Sequence, residues 1–491
     1  MDTLSREASS TTLGLSVGRA GNTCAVRARG FAARLAAGLV TVVAVAFSGN
    51  AGAQTPAPVG SPEAGPAAVE WEDPLVIASG DADVGPWRMN QSRFYYVDDP
   101  AVAVTAAGNT GVVWVDNRRQ DVFFQRFGPN GSARLADPVN VSRSPGIFSW
   151  LPKLATADDG RVFVLWQEIV FSGGSHGGEI FFAHSGDGGR TFSQPQNLSN
   201  SKAGDGKGRL TPERWHNGSL DLARAEDGTL YAAWTEYDGL LWLSRARDGA
   251  RFGTPQRIAG SPERPARAPA LAVGPAGSVY LAWTVGEDEA ANIRIAVSAD
   301  GGGSFGEPRE LYPEDAHADA PKLAVDSTGA VHVVYAQGER GPFGSHHVRY
   351  GRLDAVGAPI IESRRISQID QGLESGAHFP YLALDGRDNL VVVWEHYPDS
   401  AGRPYGLGMT ISPSGGRRFS APALIPGTTA PGLGFNGSLQ GLLMQKLAVN
   451  PDGLIRIVNS RFKPDQHSRI RLLRGRLTHR QSAAEASDLR R

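Results

Sequence analysis

The stretch SGDGGRTFSQP, Ser185–Pro195, returns almost unchanged as SADGGGSFGEP at Ser298–Pro308. Both copies follow one apolar run and precede another, and their Gly, Ser and Asp residues are those that tight turns favour. Two weaker copies occur, RARDGARF ending at Phe252 and SPSGGRRF ending at Phe419. A turn that recurs this often indicates a chain built from repeated units.

A longer phrase surrounds these turns: an apolar strand, a glycine turn and a second apolar strand, usually closed by an aromatic residue. It reads LPKLATADDGRVFVLWQE from Leu151 and APKLAVDSTGAVHVVYAQ from Ala320, and it occurs seven times. Third and fourth strands, such as IFFAHS and PQNLS, follow most copies. Four antiparallel strands per unit form a propeller blade, so the sequence predicts an all-β fold, a seven-bladed β-propeller. A six-bladed propeller is the alternative.

The last unit has three strands, and the missing one has a match near the N-terminus. WEDPLVIAS from Trp71 resembles FSQPQNLSN from Phe192. We therefore expect the N-terminal strand to complete the last blade and close the ring, which hides its edges. The predicted propeller spans residues 71–479, after a Pro/Ala-rich linker at 54–70 and before a disordered polar tail at 480–491.

Residues 1–53 have the features of an export signal. The apolar run LAAGLVTVVAVAF is too short for a confident membrane span, and small residues follow it. Three arginines precede the run: Arg27, Arg29 and Arg34. The only cysteine, Cys24, lies in the same segment. We expect a secreted or periplasmic protein without disulfides or membrane contact after signal removal, with a retained anchor as the alternative.

Charge and motifs exclude several classes of function. Lys plus Arg (49) nearly cancels Asp plus Glu (50), which leaves no field to attract nucleic acid. The sequence holds no dinucleotide or phosphate-loop fingerprint, and we expect no cofactor. No histidines have metal-ligand spacing with an acidic partner, and the adjacent pair His346–His347, placed on a loop, points its rings apart. A monomer without bound metal is expected.

The opening stretch identifies the kind of propeller. Ser185-x-Asp187-x-Gly189-x-Thr191-Phe192 matches the S-x-D-x-G-x-T-W/F form of the Asp-box, or BNR repeat. The chain therefore resembles the sialidase-like superfamily of β-propellers along nearly the whole predicted mature length. The resemblance implies an anionic glycan or polysaccharide as ligand, with the Asp-boxes facing away from the ligand side.

In a propeller, the segment before each first strand and the loop after each second strand open at the same end. Residues at these positions converge around the central channel, where ligands bind. They are rich in His, Arg, Tyr and carboxylates: Asp98, Trp150, His216, Arg267, Asp319, His378, Asp116, Arg118, Glu168, Glu236, Tyr237, Glu287, Arg340, Glu395, His396, Tyr397 and Arg461. Solvated loop polarity and ion pairs between blades are the alternative explanation.

The resemblance implies an exo-glycosidase of the sialidase type. There, three arginines bind the sugar carboxylate and a tyrosine activated by a glutamate is the nucleophile, an exception to the two-carboxylate rule. Asp98 occupies the position of the usual first arginine, and Arg267 is the best match elsewhere. The further candidates are Arg118, Arg340 and Arg461 for binding, Tyr237 or Tyr397 as nucleophile, and Glu236 or Glu395 as its base.

Two other functions fit the same end of the propeller. Propellers resembling this one include polysaccharide lyases, in which His or Tyr removes the proton next to a uronic-acid carboxylate while a cation neutralises that carboxylate. His216 and His378 are the candidate bases, since the pKa of histidine suits a general base. A non-catalytic propeller that binds a glycan or a protein is the third reading, with Trp150 and Trp215 for stacking against sugars.

Overall fold

The computed structural model describes residues 68–86, 88, 90–169, 178–200, 219–236, 239–286, 290–315, 317–338, 345–368, 376–398, 403–413, 415–429, 432, 434–437 and 444–478. The named elements within them are all β-strands. The predicted signal peptide (1–53) and tail (480–491) lie outside these residues, as does most of the predicted linker. The first strand, β1 (Ala68–Gly80), begins three residues before the predicted boundary at 71. None of the described residues forms a helix long and apolar enough to cross a membrane.

The strands form seven blades and one separate two-stranded hairpin. A small hairpin, β2 (Asp83–Val84) and β3 (Phe94–Tyr95), precedes the first blade. Blade 1 contains β4 (Val97–Val104), β5 (Thr110–Asp116), β6 (Asp121–Phe127) and β7 (Val139–Asn140). Blade 2 contains β8 (Ser149–Thr156), β9 (Val162–Glu168), β10 (Glu179–Ser185) and β11 (Gln196–Asn197). Blade 3 contains β12 (Leu220–Arg224), β13 (Leu230–Thr235), β14 (Leu241–Ala246) and β15 (Gln256–Ala259).

The remaining blades repeat this order of antiparallel neighbours. Blade 4 contains β16 (Ala266–Val273), β17 (Val279–Val285), β18 (Asn292–Ser298) and β19 (Arg309–Leu311). Blade 5 contains β20 (Ala318–Val325), β21 (Val331–Gly338), β22 (His346–Leu353) and β23 (Pro359–Arg365). Blade 6 contains β24 (Gly376–Leu384), β25 (Leu390–Tyr397), β26 (Leu407–Ser412) and β27 (Ala423–Leu424). Blade 7 contains β28 (Phe435–Asn436), β29 (Leu447–Val449), β30 (Leu454–Lys463), β31 (His467–Thr478) and β1. The predicted seven-bladed β-propeller is confirmed.

Apolar clusters between successive blades hold the ring together. The second strands are almost completely buried, because each lies between two strands of its own sheet and two neighbouring blades. β1 pairs with β31 from Ala68↔Thr478 to Gly80↔Ser468, so the N-terminal strand is the outer strand of blade 7. Blades 7 and 1 share a cluster in which Val458 and Leu472 pack with Val102 and Trp114.

The turns at Ser185 and Ser298 have the same internal hydrogen bonds. Ser185 Oγ accepts from Gly189 N (2.9 Å) and donates to Asp187 Oδ1 (2.7 Å), and Thr191 Oγ1 donates to Asp187 Oδ2 (2.7 Å). These donors, the Thr191 hydroxyl first, lower the pKa of Asp187 to about 2. Phe192 then packs edge-on against Phe124 of blade 1, with ring centroids 5.6 Å apart. The turn is therefore a structural plug between blades.

Gly189 should tolerate no side chain. Its φ of 87° is left-handed, and an added Cβ would overlap the Phe124 ring. We expect Gly189→Ala to lower the free energy of unfolding by ~3 kcal/mol, from backbone strain and overpacking together. Gly160→Ala is the matched control, since Gly160 has a φ of 92° and no atom within 4 Å of the added Cβ; it should cost only ~1 kcal/mol. Equal losses in urea denaturation would show that the ring contact is irrelevant.

Candidate functional site

The inner strands of five blades carry the same β-bulge. In each, the residue before the strand proline is left-handed and the pairing with the second strand shifts there. These left-handed residues are Asp99, Leu151, Ala268, Ala320 and Phe379, with φ between 48° and 55°. A bulge re-aims the side chain beside it, and such bulges cluster at functional sites. The re-aimed residues are Asp98, Trp150, Arg267, Asp319 and His378.

On blades 1 and 2 the bulge residues serve the scaffold. Asp98 is buried and accepts a 2.7 Å hydrogen bond from Ser460 Oγ of blade 7. Trp150 is half-buried, its Nε1 donates to Asn117 Oδ1 (3.2 Å), and its ring packs against Phe148. The arrangement favours a packing role for Trp150 over the predicted sugar stacking.

On blades 4 and 5 the bulge residues Arg267 and Asp319 form an ion pair with each other. Arg267 Nη1 lies 2.9 Å from Asp319 Oδ2, and Arg267 Nε donates to Gly286 O (2.7 Å). Asp319 Oδ1 accepts from Thr284 Oγ1 (2.9 Å). Burial would raise the pKa of Asp319, but the Arg267 guanidinium above all, together with the hydrogen bond from Thr284, holds that pKa below its usual value. The Nη2 group of Arg267 makes no hydrogen bond to the described chain, and the side chain is 21% exposed.

Three histidines line up beside this ion pair. The rings of His346 and His378 stack at 4.0 Å between centroids, and His317 meets His346 edge-on at 5.6 Å. His346 begins strand β22, so its predicted place on a loop is wrong. Burial lowers the pKa of His378 well below its usual value, and the neighbouring His346 lowers it further. His378 is therefore a neutral imidazole at neutral pH.

Tyr397 and Glu395 complete the group from β25. The Tyr397 ring lies 6.5 Å from the His378 ring, and Glu395 pairs with His378 across the two strands. Burial, and then the Glu395 carboxylate, raise the pKa of Tyr397, which keeps its phenol protonated. Glu395 Oε1 accepts from Lys446 Nζ at 2.7 Å, and both side chains are at most 2% exposed. Glu395 is therefore committed to an ion pair.

Two of the other predicted arginines, Arg118 and Arg461, have partners elsewhere. Arg118 is exposed and pairs with Asp81 (3.2 Å), with its guanidinium over the Tyr95 ring. Arg461 is buried and donates to Gly434 O (2.9 Å) and to Thr428 O. Within the described ranges, neither contacts Arg267.

Several predicted site residues lie outside the described residues, namely Trp215, His216, Tyr237, Glu287 and Arg340. Glu236 is described, and its backbone N–H donates to Leu240 O (2.9 Å). No cluster of three or more His, Cys, Asp or Glu among the described residues has metal-binding geometry.

The inner strands also carry a layer of buried lysines that was not predicted from the sequence. Lys153, Lys322 and Lys446 occupy the same register position on blades 2, 5 and 7, and all are at most 5% exposed. Lys446 pairs with Glu395, and the Lys322 ammonium lies 5.6 Å from the centroid of the Tyr381 ring. A lysine before the Leu-Ala pair of the inner strand, in PKLA at Lys153 and Lys322 and in QKLA at Lys446, was the signal available for them.

No protein-family model matches the sequence, and no curated protein matches it. Among solved structures, the polysaccharide lyase Uly1 aligns over 83% of this chain and 99% of its own, with 11% identity and a TM-score of 0.50. An α-L-arabinanase from Penicillium chrysogenum aligns over 70% of this chain and 98% of its own, with 13% identity and a TM-score of 0.43. The NanB sialidase from Streptococcus pneumoniae, in a mutant form, aligns over 65% and 68%, with 9% identity and a TM-score of 0.42. At such identities the likeness concerns architecture alone, and the chain has a seven-bladed β-propeller fold.

Proposed function

We propose that this propeller cleaves uronic-acid polysaccharides by β-elimination. The observation that carries the proposal is the stacked pair His346–His378, which lies beside the Arg267–Asp319 ion pair and within 6.5 Å of the Tyr397 ring. A neutral imidazole, a protonated phenol and a guanidinium are the groups that this reaction needs. A likeness in fold to a polysaccharide lyase supports the proposal.

The reaction assigns one role to each group. The base removes the proton from the carbon that bears the carboxylate, the released electron pair forms a carbon–carbon double bond, and the bond to the glycosidic oxygen breaks. His378 is the base, acting through Nδ1 because its Nε2 is buried. Tyr397 protonates the departing oxygen, and Arg267 binds the carboxylate through Nη2. The pKa of His378 is lowered and the pKa of Tyr397 is raised. Two neighbouring groups whose pKa values differ in this way are the usual mark of a base and an acid in one site.

Hydrolysis by the sialidase route has less support. It needs several arginines on one carboxylate, whereas Arg118 and Arg461 are engaged with Asp81 and with backbone carbonyls. It also needs a glutamate to activate the tyrosine, and Glu395 is paired with Lys446. Export of the chain remains part of the proposal, since uronic-acid polymers are extracellular substrates.

His378→Gln and Tyr397→Phe should each lower the rate of polymer cleavage by ~10²–10⁴-fold, the usual contribution of a general acid or base. The assay follows the ultraviolet absorbance of unsaturated chain ends on a panel of uronic-acid polymers. His184→Gln is the matched control, because His184 lies on β10 of blade 2 and stacks on Phe182; it should leave the rate unchanged.

Two results would overturn the proposal. Release of free sialic acid without unsaturated ends would establish the sialidase route. Binding of a polymer with no product of either kind would establish a non-catalytic propeller.

A further inference from the structure

The interface between blades 6 and 7, called the seam below, differs from the interfaces between the other blades at one register position of the second strand. The second strands of blades 1 to 6 place a large aromatic residue there, directed at the preceding blade: Trp114, Trp166, Trp234, Trp283, Tyr335 and Trp394. Blade 7 places Asn459 at this position, which the pairing Leu447↔Ile457 fixes by register. At the end of the seam that lies nearest the candidate site, a small amide side chain thus stands where the other blades have a large aromatic side chain.

The polar residues of the seam share one face of blade 7. Side chains alternate along a strand, and Ile455 and Ile457 of β30 pack against blade 6. Asn459 and Arg461 therefore face blade 6 as well. Asn436 pairs directly with Arg461, which puts its side chain on the same face. Glu395 of blade 6 lies opposite, since a Cβ added to Gly437 would approach Glu395 Oε2 to 3.9 Å.

These side chains hold buried polar atoms that lack hydrogen-bond partners among the described residues. The donors are Asn436 Nδ2, Asn459 Nδ2 and Arg461 Nε, and the acceptors are Asn436 Oδ1, Asn459 Oδ1 and Glu395 Oε2. All four residues are at most 2% exposed. Buried polar groups in folded proteins nearly always have a partner, so six such atoms together point to a bound molecule, an ordered water or a ligand.

The balance of donors and acceptors indicates the chemistry of that partner. An anion would use only the donors and a cation only the acceptors. A hydroxyl group both donates and accepts, so neighbouring hydroxyls of a sugar ring could satisfy both sets. The seam also adjoins the proposed catalytic group, because Glu395 is paired in register with His378.

We propose that Asn436, Asn459, Arg461 and Glu395 form a subsite for the hydroxyl groups of one sugar ring of the substrate. The identity of that substrate rests on the proposed function, but binding of a sugar at the seam does not require turnover. The Asn at the aromatic position sets the specificity of this subsite, because a tryptophan there would replace its amide donor and acceptor with a bulky ring.

The test compares Asn459→Trp with the parent chain in saturation-transfer NMR, using D-glucose and an unsulfated glucuronic-acid disaccharide as probes. We expect signal from both probes on the parent chain and at least a tenfold loss of affinity in the variant. Val458→Ile is the matched control, since Val458 faces blade 1; it should bind as the parent does.

A crystal of the parent chain soaked in the disaccharide gives a second readout if the variant folds poorly. Sugar density against Asn436 and Asn459 is expected. Ordered water alone in the seam, or equal binding by Asn459→Trp, would overturn the subsite. Sugar bound at the seam of a protein that cleaves no polymer would refute the proposed lyase and leave the subsite standing.

Discussion

Glu395→Gln should destabilise the protein by ~3–5 kcal/mol, the usual cost of removing one partner from a buried ion pair. The carboxylate lies 2.7 Å from Lys446 Nζ, and the two side chains are only 2% and 1% exposed. The variant would leave the ammonium group of Lys446 in the interior without its counter-charge. Urea denaturation at neutral pH, with the midpoint and the slope both fitted, measures the loss.

Two controls separate this effect from a general weakness of the blade. The double variant Glu395→Gln/Lys446→Met removes both charges and should recover most of the lost stability. Glu310→Gln breaks the Arg294–Glu310 pair, in which the side chains are 25% and 37% exposed, and should cost below ~1 kcal/mol. A loss below 1 kcal/mol for Glu395→Gln would mean that water reaches the Lys446 ammonium.

The fold could be predicted because its information is local and repeated. Each unit carries its own strands and turns, so reading Leu151 and Ala320 as the same position already defines two blades. Comparing the copies also shows where one of them is incomplete. The last unit lacks a strand, so a match to that strand could be sought elsewhere in the chain. β1, which begins at Ala68, is that strand.

The candidate site was harder to predict because its contacts join different blades. His378 could be chosen from its place two residues before Pro380, and Arg267 from its place before Pro269. The stack of His346 on His378 depends on how the third strand of blade 5 approaches the first strand of blade 6. Spacing along the chain does not encode that approach.

Arg118 and Arg461 illustrate the same difficulty. Both were expected in loops after second strands and at one pocket, yet Arg118 is exposed, whereas Arg461 lies within β30 and is enclosed by backbone carbonyls. Asn459 was readable in principle, since it interrupts a column of aromatic residues that the repeat itself defines. The role proposed for Asn459 depends on the unpartnered polar atoms around it, which only the three-dimensional structure shows.

One of the buried lysines on the inner strands makes the stability of the protein depend on pH. Burial first, and then the positive charge of Lys322, lower the pKa of Lys153 from 10.5 to about 7, against opposing effects of Asp221 and Asp99. Between pH 7 and 10.5 the unfolded chain therefore binds more protons than the folded chain, so this lysine makes stability rise with pH. Below pH 7 the side chain is charged in both states and its full cost is present.

Lys153→Met should accordingly stabilise the protein by roughly 5 kcal/mol below pH 7, the free-energy equivalent of the fall in pKa from 10.5 to about 7. The gain should shrink steadily as pH rises and vanish near 10.5, because the parent lysine is then neutral in both states. Urea denaturation of both chains at intervals from pH 6 to 10.5 measures the difference, from which the histidines cancel. Lys463→Met is the control, since Lys463 lies at the half-buried end of β30. A difference between Lys153→Met and the parent chain that stays constant with pH would show that Lys153 keeps an ordinary pKa, with its ammonium group solvated or fully paired inside the ring.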